Sequence, residues 1–369
     1  MEKVKNFFKS QPVLIISFLA ALITIFIIPP DEEYFGYCNR TVLIQLFCLM
    51  ISVGGFRSIG IFENAAGFLL KKAGNMRRIG IIFTLICFFT SMFVTNDVAL
   101  ITFVPLTLMV YREISDKKSR ILTIVLETAA ANLGSMVTPF GNPQNLYIYD
   151  KYRLSLGDFF STMLPLAVVS LILLIILCMI LPRSICSAES YKNQSIPKFQ
   201  AISYALLFIV CLLTVFRVIP DWICLIITVS AAMILDKKLL LKVDYGLLLT
   251  FVCFFVFVGN IARIDAISGF FSEILSGREF IVSALLSQGI SNVPAAVMLS
   301  GFTENGKALL LGVNLGGLGT IIASLASLIS FQYYRNESGA ESGTYMGIFS
   351  AVNFGLLAVL LIFAIVGIL

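Results

Sequence analysis

The chain has 369 residues, 59% of them hydrophobic and 13% charged, with a mean hydropathy of +0.97 and a formal net charge of +5. Soluble domains run near half apolar and a quarter charged, so this chain lacks the charge to coat a water-facing surface. Soluble enzymes, nucleic-acid binders and disordered scaffolds are excluded. There is no histidine, which removes imidazole acid–base chemistry, histidine haem ligation and the usual zinc sites. The eight cysteines are scattered with no CxxC pair and read as small buried hydrophobes.

Apolar runs long enough to cross a bilayer recur along the whole length. The predicted spans are 12–28, 41–56, an interrupted 120–150, 159–182, 199–217, 220–235, 243–260, an interrupted 306–334 and 343–369. The first run lacks a small-residue cleavage pattern and leads into Asp31-Glu32-Glu33, so it reads as a retained helix rather than a signal peptide. Two more apolar stretches, 78–111 and 279–303, are bent by Asn96-Asp97 and by Asn292-Val293-Pro294. They read as re-entrant helical hairpins that return to the face they entered. Short connectors at Gly74-Asn75, Arg112–Arg120, Ser276-Gly277 and Glu304–Gly306 are the expected hinges.

Positive charge agrees with this reading. With the N-terminus in the cytoplasm, only Arg40, Lys151, Arg153, Arg217, Arg263, Arg278 and Lys307 of the 26 lysines and arginines fall outside. That is the bias the positive-inside rule demands. It places the C-terminus outside and the chain in the cell (inner) membrane as a multi-pass protein.

The chain also repeats itself. Ala131-Asn132-Leu133-Gly134-Ser135-Met136-Val137-Thr138 lies over Val313-Asn314-Leu315-Gly316-Gly317-Leu318-Gly319-Thr320 at an offset of 182. Ser91-x4-Asn96 matches Ser287-x4-Asn292 at an offset of 196, and Val53-Gly54 matches Val258-Gly259. An odd number of crossings separates the hairpins, so the two halves are inverted. The first half is 1–182, with scaffold helices in 12–56, a hairpin at 78–111, a broken helix at 120–150 and a helix at 159–182. The second is 199–369, with scaffold helices in 199–260, a hairpin at 279–303, a broken helix at 306–334 and a helix at 343–369. The expected fold is therefore all-α and polytopic, with inverted repeats, two re-entrant hairpins and two broken helices.

Backbone bookkeeping gives this pattern a function. Lipid cannot satisfy free N–H and C=O groups, so non-helical backbone at membrane depth lines a cavity or binds something. Inverted repeats with matched broken helices point to a secondary transporter whose site lies at the repeat interface. Half-helix N-termini attract anions and freed carbonyls attract cations. Asparagine amides and serine hydroxyls at the tips add hard oxygen ligands suited to sodium, and nothing resembles a transition-metal site.

With these residues in view, the chain resembles the ion transporter superfamily. That superfamily includes divalent-anion/sodium symporters for citrate and dicarboxylates, arsenite–antimonite efflux permeases and some sodium/proton antiporters. The run from Gly134 through Thr138, Gly141, Asn142, Pro143 and Asn145 is similar to the symporters' G-x-x-x-T-x-x-G-[ST]-P-P-N loop. Thr95-Asn96-Asp97 and Ser291-Asn292-Val293 stand where those symporters carry Ser-Asn-Thr, and Gly319 to Leu328 is similar to the permeases' G-S-L-A-T-L-L loop. The resemblance implies a first cation site at Ser91, Thr95, Asn96 and Gly141 and a second at Ser287, Ser291, Asn292 and Ala323. Asn142 and Ser324 then face the substrate, beside the tip residues Asn96, Asp97, Asn292 and Val293. The implied machine is an elevator-type carrier, a homodimer, with sodium or protons as coupling ions and no other cofactor.

Two departures bear on the substrate. The symporters' tip threonines are here Asp97 and Val293, and no arginine falls inside the predicted core to clamp a carboxylate. An anionic side chain beside a dicarboxylate repels it unless protonated or cation-paired. Asp97 and Glu127 are the acids well inside predicted spans, where an ionised carboxylate costs several kcal/mol, roughly 3 on insertion scales. Both are candidate coupling residues. No polar set marks the predicted scaffold helices.

The leading expectation is a secondary transporter of a small anion, a di- or tricarboxylate or an inorganic anion. A sodium/proton antiporter or an arsenite-type efflux permease is the alternative. An intramembrane aspartyl enzyme needs a G-x-G-D partner for Tyr149-Asp150, and none exists. No Walker motif appears, so the chain does not hydrolyse ATP, and nothing calls for nucleic acid.

Overall fold

Most of the long helices start where a short polar side chain can accept from a free N–H of the first turn, the usual N-cap arrangement. Asn39, Asn75, Asp116, Asn142, Ser155, Asp244 and Asn305 all do this. The computed structural model describes residues 12–70, 73–111, 116–184 and 195–368, and every regular element among them is helical. Apart from the four-residue helices Tyr34–Tyr37 and Lys238–Leu241, these are in chain order α1 Pro12–Ile27, α2 Arg40–Ser58, α3 Ile61–Leu70, α4 Met76–Val94, α5 Asn96–Tyr111, α6 Lys117–Ser135, α7 Pro143–Lys151 and α8 Leu156–Cys178. The second half follows with α9 Lys198–Val215, α10 Asp221–Leu235, α11 Tyr245–Ala262, α12 Asp265–Leu275, α13 Glu279–Ile290, α14 Asn292–Leu299, α15 Gly306–Leu315, α16 Leu325–Arg335 and α17 Ser342–Gly367.

Six of these, α2, α4, α8, α9, α11 and α17, are long and apolar enough to cross a membrane. The protein is an all-α, polytopic membrane protein. The predicted hairpins correspond to the pairs α4–α5 and α13–α14, and the interrupted spans to α6–α7 and α15–α16, broken over 136–142 and 316–324. One hinge expectation is corrected: α6 already begins at Lys117, capped by Asp116, so Arg120 stands inside a helix rather than in a connector. Residues 112–115 of that connector lie outside the described residues, as do Lys3, Lys5, Lys9, Lys71, Lys72 and Lys192. Gly74 and Gly277, just before the two hairpins, both take positive φ, 67° and 69°, a conformation glycine adopts without a Cβ penalty.

The helices sort by their neighbours. α1 packs along α11, and α2 packs on α9 and α10. Thr24, near the end of α1, accepts from Asn260 Nδ2, near the end of α11, at 3.3 Å, so these two helices run parallel. The hairpins pack instead on the broken helices, α4 on α6 and α13 on α15. The second arms then cross over: α16 packs on α5, and α7 packs on α14. α6 is buried on nearly every face from Ser119 to Ser135. Without lipid contact it can carry Glu127, Thr128 and Asn132, which a lipid-facing helix could not.

Polar ties join the loops at each end. At one end Arg263 pairs with Asp31 at 2.7 Å, Lys307 with Asp158 at 2.6 Å, and Asn39 Nδ2 donates to Asp150 at 2.7 Å. At the other, Lys117 pairs with Glu341 at 2.7 Å and Arg77 Nε donates to Leu181 O at 2.8 Å. Hydrogen bonds from Arg263 and Lys117 hold the Asp31 and Glu341 carboxyls below their ordinary range. These exposed pairs add little stability. Each joins loops that the crossing count puts on the same face.

Candidate functional site

Each hairpin turns on one residue. Thr95 has φ 73° and ψ 151°, and Ser291 has φ 75° and ψ 155°. Glycine normally fills this region, and holding an L-residue there costs on the order of 1–3 kcal/mol. The surroundings enforce it. Asn292 N–H donates to Ala323 O at 2.9 Å and Ser291 Oγ to the same carbonyl at 3.3 Å. On the first hairpin Asn96 Nδ2 donates to Asn132 Oδ1 at 2.9 Å.

Matched bonds tie the linkers of the broken helices to the hairpins. Thr138 Oγ1 donates to Met92 O at 2.6 Å, and Thr320 Oγ1 to Gln288 O at 2.7 Å. Gln288 Nε2 also donates to Gly316 O at 2.9 Å and Leu318 O at 3.0 Å. Gly134 and Gly316 make the close approach possible: a methyl at Gly134 would strike Phe88 O, and one at Gly316 would come within 2.7 Å of Ser287 Cβ.

Two asparagines that the sequence offered only as repeat markers join the halves. Asn132 Oδ1 also accepts from Ser324 Oγ at 2.9 Å, and its Nδ2 donates to Ser327 Oγ at 3.2 Å. Asn314 Oδ1 accepts from Asn142 Nδ2 at 3.1 Å, and its Nδ2 donates to Asn145 Oδ1 at 2.7 Å. Each therefore reaches into the break of the opposite half. Their pairing at the 182-residue offset was the available signal.

Two cavities meet the tips. A chamber of about 60 Å³ brings together Asn96, Asp97, Ser291, Asn292, Val293 and Ser324. A larger cavity of about 510 Å³ is lined by Thr95, Asp97 and Asn142. Asp97 belongs to both. The remaining expected site residues line neither. Ser91 and Ser287 are fully buried against the broken helices, donating to Phe88 O at 2.9 Å and Ser283 O at 2.7 Å of their own helices. Gly141 N–H donates to Thr138 O at 3.3 Å, and Ala323 O holds the second tip. Glu127 is buried within α6, where Oε1 accepts from Thr107 Oγ1 and Oε2 has no partner among the described residues.

Two expectations are corrected on the opposite wall. Arg57, at the end of α2, lines the larger cavity with Glu63 and Lys242, so an arginine does reach the site region. Asp244 and Thr250 line the chamber, so the scaffold side is polar at this level. Hydropathy hid both because these residues sit at helix ends or alone among apolar neighbours.

The profile of the citrate transporter family matches residues 2–305. An uncharacterized transporter of Methanocaldococcus jannaschii is 34% identical over 303 residues, covering 81% of this chain and 82% of that protein. Inner membrane protein YbiR of Escherichia coli is 31% identical over 294 residues, covering 79% and 78%. The crystal structure of the Alcanivorax borkumensis YdaH transporter is similar with a TM-score of 0.57 at 13% identity, over 95% of this chain and 89% of that one. That likeness speaks for the fold and extends past residue 305. The chain belongs to the citrate transporter family within the ion transporter superfamily, and it is a secondary transporter of small anions rather than an enzyme.

Proposed function

We propose that the chain consists of two inverted repeats, 1–182 and 199–369, whose hairpins and broken helices move as one body past a scaffold of α1, α2, α9, α10 and α11. The observation that carries this reading is the level of the tips. On the inverted reading the hairpins enter from opposite ends, and their tips meet at one chamber lined by Asp97 and Val293. Yet the chamber they line is walled by Val13 at the start of α1 and by Asp244, Leu247 and Thr250 at the start of α11. Those scaffold residues belong to one end of two parallel helices. Tips that meet beside one end of those two helices are what an elevator-type cycle requires at one limit of its travel.

In this reading Asn96, Asp97, Asn142, Asn292, Val293 and Ser324 bind the anion, a di- or tricarboxylate or an inorganic anion. Cations bind where Thr95 and Asn96, and Ser291 and Asn292, meet the broken helices, with Ser91, Gly141, Ser287 and Ala323 shaping those pockets. Asp97 couples the cycle to sodium or protons, and Glu127 is the second candidate. The N-terminus is cytoplasmic and the C-terminus outside in the cell (inner) membrane, and the lipid-facing scaffold forms a homodimer. Uptake of radiolabelled citrate, succinate, phosphate or arsenite into proteoliposomes, under imposed sodium or proton gradients, tests the reading. Asn96→Ala and Asn292→Ala should purify normally and lose most uptake; wild-type rates in both overturn the two-tip site.

A further inference from the structure

The chamber at the tips is lined by two carboxylates on different parts of the molecule. Asp97 opens α5 on the hairpin, and Asp244 caps α11 on the scaffold, where its Oδ1 accepts from Leu247 N–H at 2.9 Å. Both also line the larger cavity. The cationic residues Arg57 and Lys242, with Glu63, line only that larger cavity; among the described residues no cationic side chain lines the chamber. Two like charges facing one small space repel unless something positive lies between them.

A third residue points to a ligand. Gln144, on α7, is 2% exposed overall and lines the chamber, and its side-chain amide makes no hydrogen bond to another described residue. Its amide atoms are not among the fully enclosed unpaired ones, so they open onto the chamber and are free to bind what enters it. Asn292 and Thr250 add an amide oxygen and a hydroxyl to the same wall. Carboxylate, amide and hydroxyl oxygens are the ligands of hard cations. The chamber volume of about 60 Å³ admits a cation together with a few waters.

We propose that Asp97, Gln144 and Asp244 form a third cation site, for sodium, at the joint between the hairpin body and the scaffold. It rests on the elevator reading above. A cation bound wholly within the moving body has the same contacts wherever the body stands and shifts no equilibrium. One that also touches Asp244 exists only when the tips lie at this end of the scaffold, so its binding selects that position. With the site empty, repulsion between Asp97 and Asp244 disfavours this position, and a proton on Asp97 lets the body leave it. Sodium is thus both a ligand and a latch for the state in which the larger cavity is open.

The test uses a protein freed of native cysteines and carrying Ile101→Cys, on α5 at the wall of the larger cavity. Reconstituted protein is labelled with a membrane-impermeant maleimide in sodium or in equimolar N-methylglucamine. Labelling should be several-fold faster in sodium. Asp244→Asn keeps a competent helix cap and should abolish the sodium dependence, Asp244→Glu should retain it, and Gln144→Leu should raise the sodium concentration needed. Sodium-dependent labelling that survives Asp244→Asn overturns the proposal. So does wild-type labelling that follows pH and ignores sodium, since the carboxylates then share a proton. The transport reading itself fails on a separate readout, the uptake assay with Asn96→Ala and Asn292→Ala.

Discussion

Thr95 and Ser291, 196 residues apart, hold the same positive-φ backbone, φ 73° and ψ 151° against φ 75° and ψ 155°. Neither is glycine, although glycine would reach this conformation at no steric cost. The chain keeps a hydroxyl at a strained position twice, which points to use of the hydroxyls.

Thr95→Gly and Ser291→Gly should therefore separate stability from transport. Relief of strain worth on the order of 1–3 kcal/mol opposes the added flexibility of glycine. Melting temperatures should stay at or above wild type while ion-driven uptake falls at least tenfold. Full uptake in both variants would remove these hydroxyls from the cation sites.

The close approach of hairpin and broken helix should tolerate no side chain. In Gly134→Ala and Gly316→Ala the new methyl meets Phe88 O or Ser287. Overpacking of this kind costs typically about 1–3 kcal/mol. Both variants should melt several degrees lower, whereas Gly343→Ala, which meets nothing within 4 Å, should not.

Asn132 and Asn314 should matter beyond their own repeats. Asn132→Ala strips partners from Asn96, Ser324 and Ser327, and Asn314→Ala strips them from Asn142 and Asn145. Each unpaired buried group costs about 1–3 kcal/mol. Both variants should lose thermal stability and uptake together, in contrast to Asn96→Ala and Asn292→Ala, which should lose uptake alone. The double variant Asn132→Ala/Asn314→Ala should be destabilised by less than the sum of the singles if the two breaks form one network.

Asp97→Asn should uncouple the carrier. A carboxylate carried through the membrane interior costs several kcal/mol unless neutralised, so on the proposed elevator cycle movement of the empty body requires a proton or cation on Asp97. The amide removes that requirement. Exchange or downhill flux should persist while accumulation against a gradient disappears. Accumulation with unchanged pH and sodium dependence would show that coupling lies elsewhere, with Glu127→Gln the next variant to measure.

Much of the architecture was legible without coordinates because the signals are local. Hydropathy marks a helix segment by segment, and Asn96-Asp97 and Asn292-Val293-Pro294 interrupt theirs visibly. The offset of 182 paired Gly134 with Gly316 and Thr138 with Thr320, and the structure gives each pair matching contacts. The resemblance assigns Ser91 and Ser287 to the cation sites, and the structure adds that their hydroxyls donate to carbonyls of their own helices. A serine in an apolar helix looks the same in sequence whether it faces a cavity or a glycine.

The sequence by itself determined the membrane class, the two bent hairpins, the two broken helices and their order, because lipid penalises every unsatisfied backbone group and so leaves a record in each segment. Tertiary structure alone decided which segments touch. Asn132 reaches Ser324, Asn314 reaches Asn145, and Asp244 stands across from Asp97 through contacts that join residues more than a hundred positions apart. Such pairings follow from how helices cross in three dimensions, and neither hydropathy nor spacing along one chain encodes them.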